Sequence, residues 1–108
     1  MDREAAESSF ERLAAVQSRH PEVGRRKMFG RDGLTVNRRF FAFLDGDRLL
    51  LRLPREKMRA LASVGHATSA ASVSPAMTDW VVIPYASRAA DWDALTDQAR
   101  EFVAGSRR

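Results

Sequence analysis

The chain is 108 residues long, 44% hydrophobic and 30% charged, with a formal net charge of +4 and no cysteine. Length and composition describe one folded domain, residues 1–108, with a core of its own, and the lack of thiols excludes disulfides, cysteine-based zinc clusters and a cysteine nucleophile. No run approaches the ~18–20 apolar residues that cross a bilayer, and the acidic, polar start MDREAAESSF is unlike a secretory leader, so no membrane partner and a cytoplasmic location are expected.

The stretch DREAAESSFERLAAVQSRH places Ala6, Phe10, Leu13 and Ala14 on one helical stripe. Pro21 ends it, because the residue before a proline is pushed out of the α region. The rhythm then changes. RRKMF and LTV flank glycines, and RFFAFL and RLLLRL flank Asp45-Gly46. Alternating or dense apolar runs bounded by Gly, Asn and Asp predict antiparallel strands near residues 24–29, 33–37, 39–45 and 48–53. Pro54 suits the first turn of a second helix, which continues through REKMRALASVG with Met58, Leu61 and Ala62 on one side and Gly65 as its left-handed stop. HATSAASVSPA, small and polar, reads as a loop or a weak edge strand. DWVVIPY is a strand ended by Pro84. In the last helix, DWDALTDQAREFVAG, Trp92, Leu95, Ala99, Phe102 and Val103 recur at helical spacing, with Asp91 placed to cap it and Gly105 after its end. The order α-β-β-β-β-α-(β)-β-α predicts an α+β fold, two layers with helices against an antiparallel sheet.

RRKMFGRDGL, residues 25–34, sets three cations before two glycines and raises the question of a phosphate loop. A P-loop needs Gly, four residues, then Gly-Lys-Ser/Thr ahead of a helix. Here five residues separate Gly24 from Gly30, Arg31-Asp32 follow, and a strand comes next. The glycines instead allow a tight turn or bulge between strands. His20 and His66 are the only histidines and neither belongs to an H-E-x-x-H pattern, so no metal is expected. Both fall at helix ends, where an imidazole can meet free carbonyls. No serine lies in a G-x-S-x-G elbow, and the helix macrodipole explains Asp91 and Asp93 at a helix start. With no nucleophile, base and orienting group to name together, the chain is expected to be no enzyme and to carry no cofactor. Trp92 lies on an apolar stripe and reads as core; Trp80 opens a strand, and Tyr85 stands alone.

The segment RRKMFG…GLTVNRRFFAFLDGDRLLLRLP resembles the N-terminal domain of the TfoX/Sxy competence regulators and its free-standing bacterial relatives. That pattern is a basic strand, Met-Phe-Gly, an apolar strand ending in Asn/Asp-Gly, a Phe-containing strand, an acidic turn and Leu-x-Leu-Arg/Lys. Met28, Phe29 and Gly30, then Leu34, Val36 and Asn37, then Phe41, then Leu49, Leu51 and Arg52 match it. PAMTDWVVIP is similar to the family's Pro-Met segment before an apolar strand ending in proline. The glycine usual after Asn37 is Arg38 here. The resemblance covers about residues 8–105, Met-Phe-Gly being its distinctive part; a likeness to the MmcQ/YjbR group, described as DNA-binding-like, is more distant. It implies a secretion-chaperone-like α+β fold and a regulator, with neither enzyme activity nor cofactor.

Charge divides unevenly along the chain. Residues 25–59 hold eleven Lys/Arg against four acids, whereas the flanks hold seven against ten. Such segregation attracts polyanions. The leading expectation is a regulatory or adaptor domain that binds nucleic acid or an acidic protein through this segment. The alternative is a protein–protein module, self-associating as a homo-oligomer, because RFFAFL and RLLLRL carry apolar residues on both strand faces. In FFAFLDGDRLLLRL, keeping charge off a buried face favours a three-residue loop, Asp45 to Asp47, over a two-residue Asp45-Gly46 turn. That register aligns Phe41 and Phe43 with Leu49 and Leu51 toward the helices. It turns Phe40, Leu44 and Leu50 outward, interleaved with Arg48 and Arg52. With Arg25, Arg26, Lys27 and Arg38 these form the candidate interaction face.

Overall fold

A computed structural model of the chain describes residues 2–106. The first apolar stripe is helix α1 (Asp2–Gln17), which buries Ala6, Phe10, Leu13, Ala14 and Gln17. Strands β1 (Val23–Met28), β2 (Arg31–Val36), β3 (Arg39–Asp45) and β4 (Arg48–Arg52) follow, then α2 (Arg55–Ser63) and the two-residue edge strand β5 (Thr68–Ser69). Two 3₁₀ turns, Ala70–Ser72 and Pro75–Met77, lead into β6 (Trp80–Pro84). A short α3 (Tyr85–Arg88) and a third 3₁₀ turn (Ala89–Asp91) precede α4 (Trp92–Gly105). The strands form one antiparallel sheet in the order β1-β2-β3-β4-β6-β5. This is the α+β fold and element order that the sequence predicts, with the short α3 and the 3₁₀ turns added.

Three two-residue hairpins build the sheet. In the first two, both central residues take positive φ: Phe29 (55°) with Gly30 (75°), and Asn37 (51°) with Arg38 (70°). That hand matches the twist of the flanking strands. Gly46, at 64°, opens the third turn, Gly46-Asp47. Gly65, at 76°, lies just past α2, as its role of left-handed stop requires. Pro54 occupies the cap position of α2 rather than its first turn. Asp91 precedes α4 but caps no backbone N–H; its carboxylate meets Arg88 Nε at 3.3 Å instead.

One sheet face carries the main core. Phe10, Leu13, Trp92, Leu95, Ala99 and Val103 from α1 and α4 pack against Leu34, Val36, Phe41, Leu49, Leu51, Val81 and Ile83 from the strands. Each of the Leu, Val, Ile and Phe side chains contributes about 1.5–3 kcal/mol by leaving water. Gln17, only 2% exposed, ties the helices together. Its Nε2 donates to Asp97 Oδ1 at 2.7 Å, and its Oε1 accepts from Arg100 at 2.8 Å, so its buried amide has partners on both atoms.

The β3–β4 register differs from expectation. Asp45 pairs with Arg48, Leu44 with Leu49 and Phe43 with Leu50, so the loop has two residues, Gly46 and Asp47. The pairing of β3 with β2 shifts from Leu34–Ala42 to Thr35–Phe40, leaving Phe41 as a bulge. Phe41 and Ala42 both join the main core, and Phe43 passes to the opposite face. Leu44, expected outward, packs half-buried against the main core. The bulge reverses side-chain alternation, which satisfies the same requirement that motivated a longer loop: Arg48 and Arg52 still stay off the helix-covered side.

Candidate functional site

The second face of the sheet carries a smaller apolar cluster. Phe43, Leu50, Trp80 and Val82 rise from the strands and meet Ala70 of the first 3₁₀ turn, with Phe40, Val73 and Met77 packed around them. Phe40 and Phe43 stack at 4.6 Å between ring centroids, and Phe43 meets Trp80 at 5.2 Å. Their rings lean across β2 over Gly33, where the backbone presents no side chain. The 3₁₀ turns cover only part of this face. Between them and β1 lies a groove of about 810 Å³. Phe40, Phe43 and Trp80 form its floor, Met28 and Phe29 one wall, and Val73, Ser74, Ala76 and Met77 the other.

Among the described residues five arginines rim the groove: Arg26, Arg31, Arg38, Arg39 and Arg52. Among the described residues no carboxylate lines it. Two of the five are engaged. Arg31 Nε donates to Asp45 Oδ1 at 3.1 Å, and Asp45 also accepts from Arg48. Burial alone would raise the Asp45 pKa, but the hydrogen bonds from Arg31 and Arg48 outweigh it and hold the carboxyl below its ordinary value. Arg39 donates to Val103 O and to Ser106 Oγ, each at 3.3 Å, and also to Ser106 O, satisfying carbonyls at the end of α4. Arg26, Arg38 and Arg52 differ. Among the described residues they have no carboxylate within 4 Å.

Two groove residues also hold costly backbone conformations. Phe29, 85% exposed, and Arg38 both have positive φ without being glycine. Such strain costs about 1–3 kcal/mol per residue and clusters at functional sites.

The sequence matches the family model described as TfoX N-terminal domain over residues 14–106. The chain belongs to the TfoX N-terminal domain family. That family suggests a regulatory or adaptor domain and is not known as an enzyme family. Neither a curated protein nor a solved structure matches the chain. In this TfoX N-terminal domain the Met28-Phe29-Gly30 segment is the tip of the β1–β2 hairpin, where its aromatic ring projects into solvent at the mouth of the groove. Among the described residues no group of three or more His, Asp or Glu is placed to hold a metal ion, and no helix is long and apolar enough to cross a membrane.

Of the nine residues singled out from the sequence, Arg26, Arg38, Phe40 and Arg52 line the groove of this TfoX N-terminal domain. Arg48 belongs to the same face but pairs with Asp45 at the far end of the sheet, and Leu50, 0% exposed, lies beneath the cover. Arg25, Lys27 and Leu44 fall on the other face. Arg25 lies 5.6 Å over the Phe10 ring and makes two hydrogen bonds to Glu11, at 2.9 and 2.6 Å, with Asp32 at 3.7 Å. The Arg25 bond lowers the Glu11 pKa and partly neutralises the basic segment. On that side a separate hollow of about 630 Å³ is lined by Glu4, Glu7, Glu11, Asp32, Ser8 and Leu44. The TfoX N-terminal domain therefore has an acidic side by α1 and an arginine-rimmed side on the open sheet. Sequence reasoning missed Met28, Phe29, Arg31, Arg39, Phe43, Trp80 and Met77. Phe29 had a signal, since a residue inside a two-residue hairpin turn has nowhere to go but solvent.

Proposed function

We propose that this domain is a non-enzymatic regulatory or adaptor module that binds nucleic acid through the groove on the open face of its sheet. The supporting observation is the grouping of Arg26, Arg38 and Arg52, without carboxylate partners among the described residues, around a floor of Phe40, Phe43 and Trp80. Guanidinium forks match phosphate oxygens, and phosphate contacts supply most of the affinity for nucleic acid. Amide chemical-shift mapping with DNA or RNA is the test. Shifts should gather on residues 26–31, 38–43, 52 and 73–80; shifts confined to the α1 side, or none at low salt, overturn the reading.

A second reading has its own support. Phe29 is 85% exposed and Met28 39% exposed, side by side at a hairpin tip, and exposed apolar pairs of this kind suit a protein partner. Self-association through the free β1 edge is disfavoured, because pairing β1 with itself sets Arg25, Arg26 and Lys27 against like charges. An apolar interface through Phe29 would instead give a concentration-dependent mass in sedimentation that Phe29→Ser abolishes.

A further inference from the structure

We infer that the occupant of the groove is single-stranded nucleic acid, its bases laid against the half-buried Phe40 ring of the floor and the exposed Phe29 ring; the inference rests on the nucleic-acid reading above. The aromatic rings lie at the bottom of a hollow, walled by the β1–β2 hairpin on one side and by residues 73–77 on the other. In a duplex the base faces are hidden in the stack and only their edges reach a protein. A single strand can splay its bases out, and aromatic side chains then provide the stacking surface.

The groove also intersperses cations with apolar groups along its length. It spans β2, six residues or about 20 Å. Arg38, Arg39 and Arg52 gather at the β2–β3 end beside Phe40, Arg26 stands midway opposite Gly33, and Met28 and Phe29 lie at the β1–β2 end, with Arg31 beside them already bound to Asp45. A ligand that carries phosphate and flat apolar rings in alternation can satisfy both ends. A run of carboxylates would meet the arginines and leave the apolar floor uncovered. Duplex DNA would meet the arginines from outside and leave the Phe29 ring and the half-buried Phe40 uncovered.

Four probes with the full chain separate these cases in anisotropy titrations at low salt. They are an oligothymidylate of about a dozen nucleotides, an abasic strand of the same length, a blunt duplex of the same length, and polyglutamate of equal charge. Stacking of even one base should make the oligothymidylate bind at least about fivefold tighter than the abasic strand, with the duplex no tighter than the abasic strand. Phe29→Gly, which suits the positive φ at that position, should reduce that ratio by about threefold or more. Equal affinity for the oligothymidylate and the abasic strand, or tighter duplex binding, overturns the single-strand inference and leaves the nucleic-acid reading standing. Polyglutamate binding as tightly as the oligothymidylate makes the occupant an acidic peptide. No binding by any of the three nucleic-acid probes removes the nucleic-acid reading itself.

Discussion

Gly33 lies directly beneath Phe43: a Cβ on Gly33 would stand 2.7 Å from Cε1 of that ring, and 2.8 Å from Cε1 of Phe40. Real Cβ atoms do not approach so closely, so the rings that form the groove floor exist in this arrangement because residue 33 has no side chain. Gly33→Ala should displace both rings. Phe40 can swing outward, but Phe43 is 5% exposed and packed on Trp80, so overpacking there should cost about 1–3 kcal/mol. Urea denaturation measures it. An unchanged midpoint would show that the floor rearranges freely and is no fixed platform.

Arg38 and Phe29 should trade stability for binding. Each holds a positive φ that glycine adopts without strain. Arg38→Gly and Phe29→Gly are each expected to raise stability by about 1 kcal/mol, read as a higher denaturation midpoint. Arg38→Gly should at the same time weaken phosphate contact. A variant that loses stability instead would mean that the native side chain makes compensating contacts.

Acid should weaken the far end of the β3–β4 hairpin through Asp45. Its folded pKa is held below the ordinary value, so its contribution is complete above about pH 4 and is lost as pH falls through the folded pKa. Asp45→Asn should flatten the fall in stability below about pH 4, followed by thermal melts across that range. Glu11 is also lowered by Arg25, but its side chain is 64% exposed against 22% for Asp45, so Glu11→Gln should change the acid limb less. The reverse ranking would mean that the Asp45 cluster with Arg31 and Arg48 is not a stabilising network.

The fold was legible because its signals are local. The stripes of α1 and α4, the glycine stop after α2 and the apolar run of β6 each declare themselves within a dozen residues. The site was legible only in part, for two reasons. Strict alternation cannot anticipate the bulge at Phe41, which sends Phe43 to the open face and Leu44 to the core. Nor does the small, polar stretch 66–76 announce that Ala70 and Val73, with Met77 beyond them, cover part of that face and make a flat sheet into a groove. Arg25 misleads differently. Its charge counts toward the basic segment, yet its partners Glu11 and Asp32 come from α1 and β2, a pairing that exists only after folding.

The most direct measurement is the salt dependence of oligonucleotide binding for the native chain and for a variant carrying Arg26→Ala, Arg38→Ala and Arg52→Ala. None of the three is paired with a carboxylate among the described residues, so their removal should leave the fold intact by circular dichroism and melting. If all three meet phosphates, the log–log slope for a single strand should be about −2 in the native chain, from roughly −0.7 per phosphate, and near zero in the variant. An equal slope in both proteins, or a native chain that binds no oligonucleotide at low salt, would contradict the assignment of the groove as a nucleic-acid site.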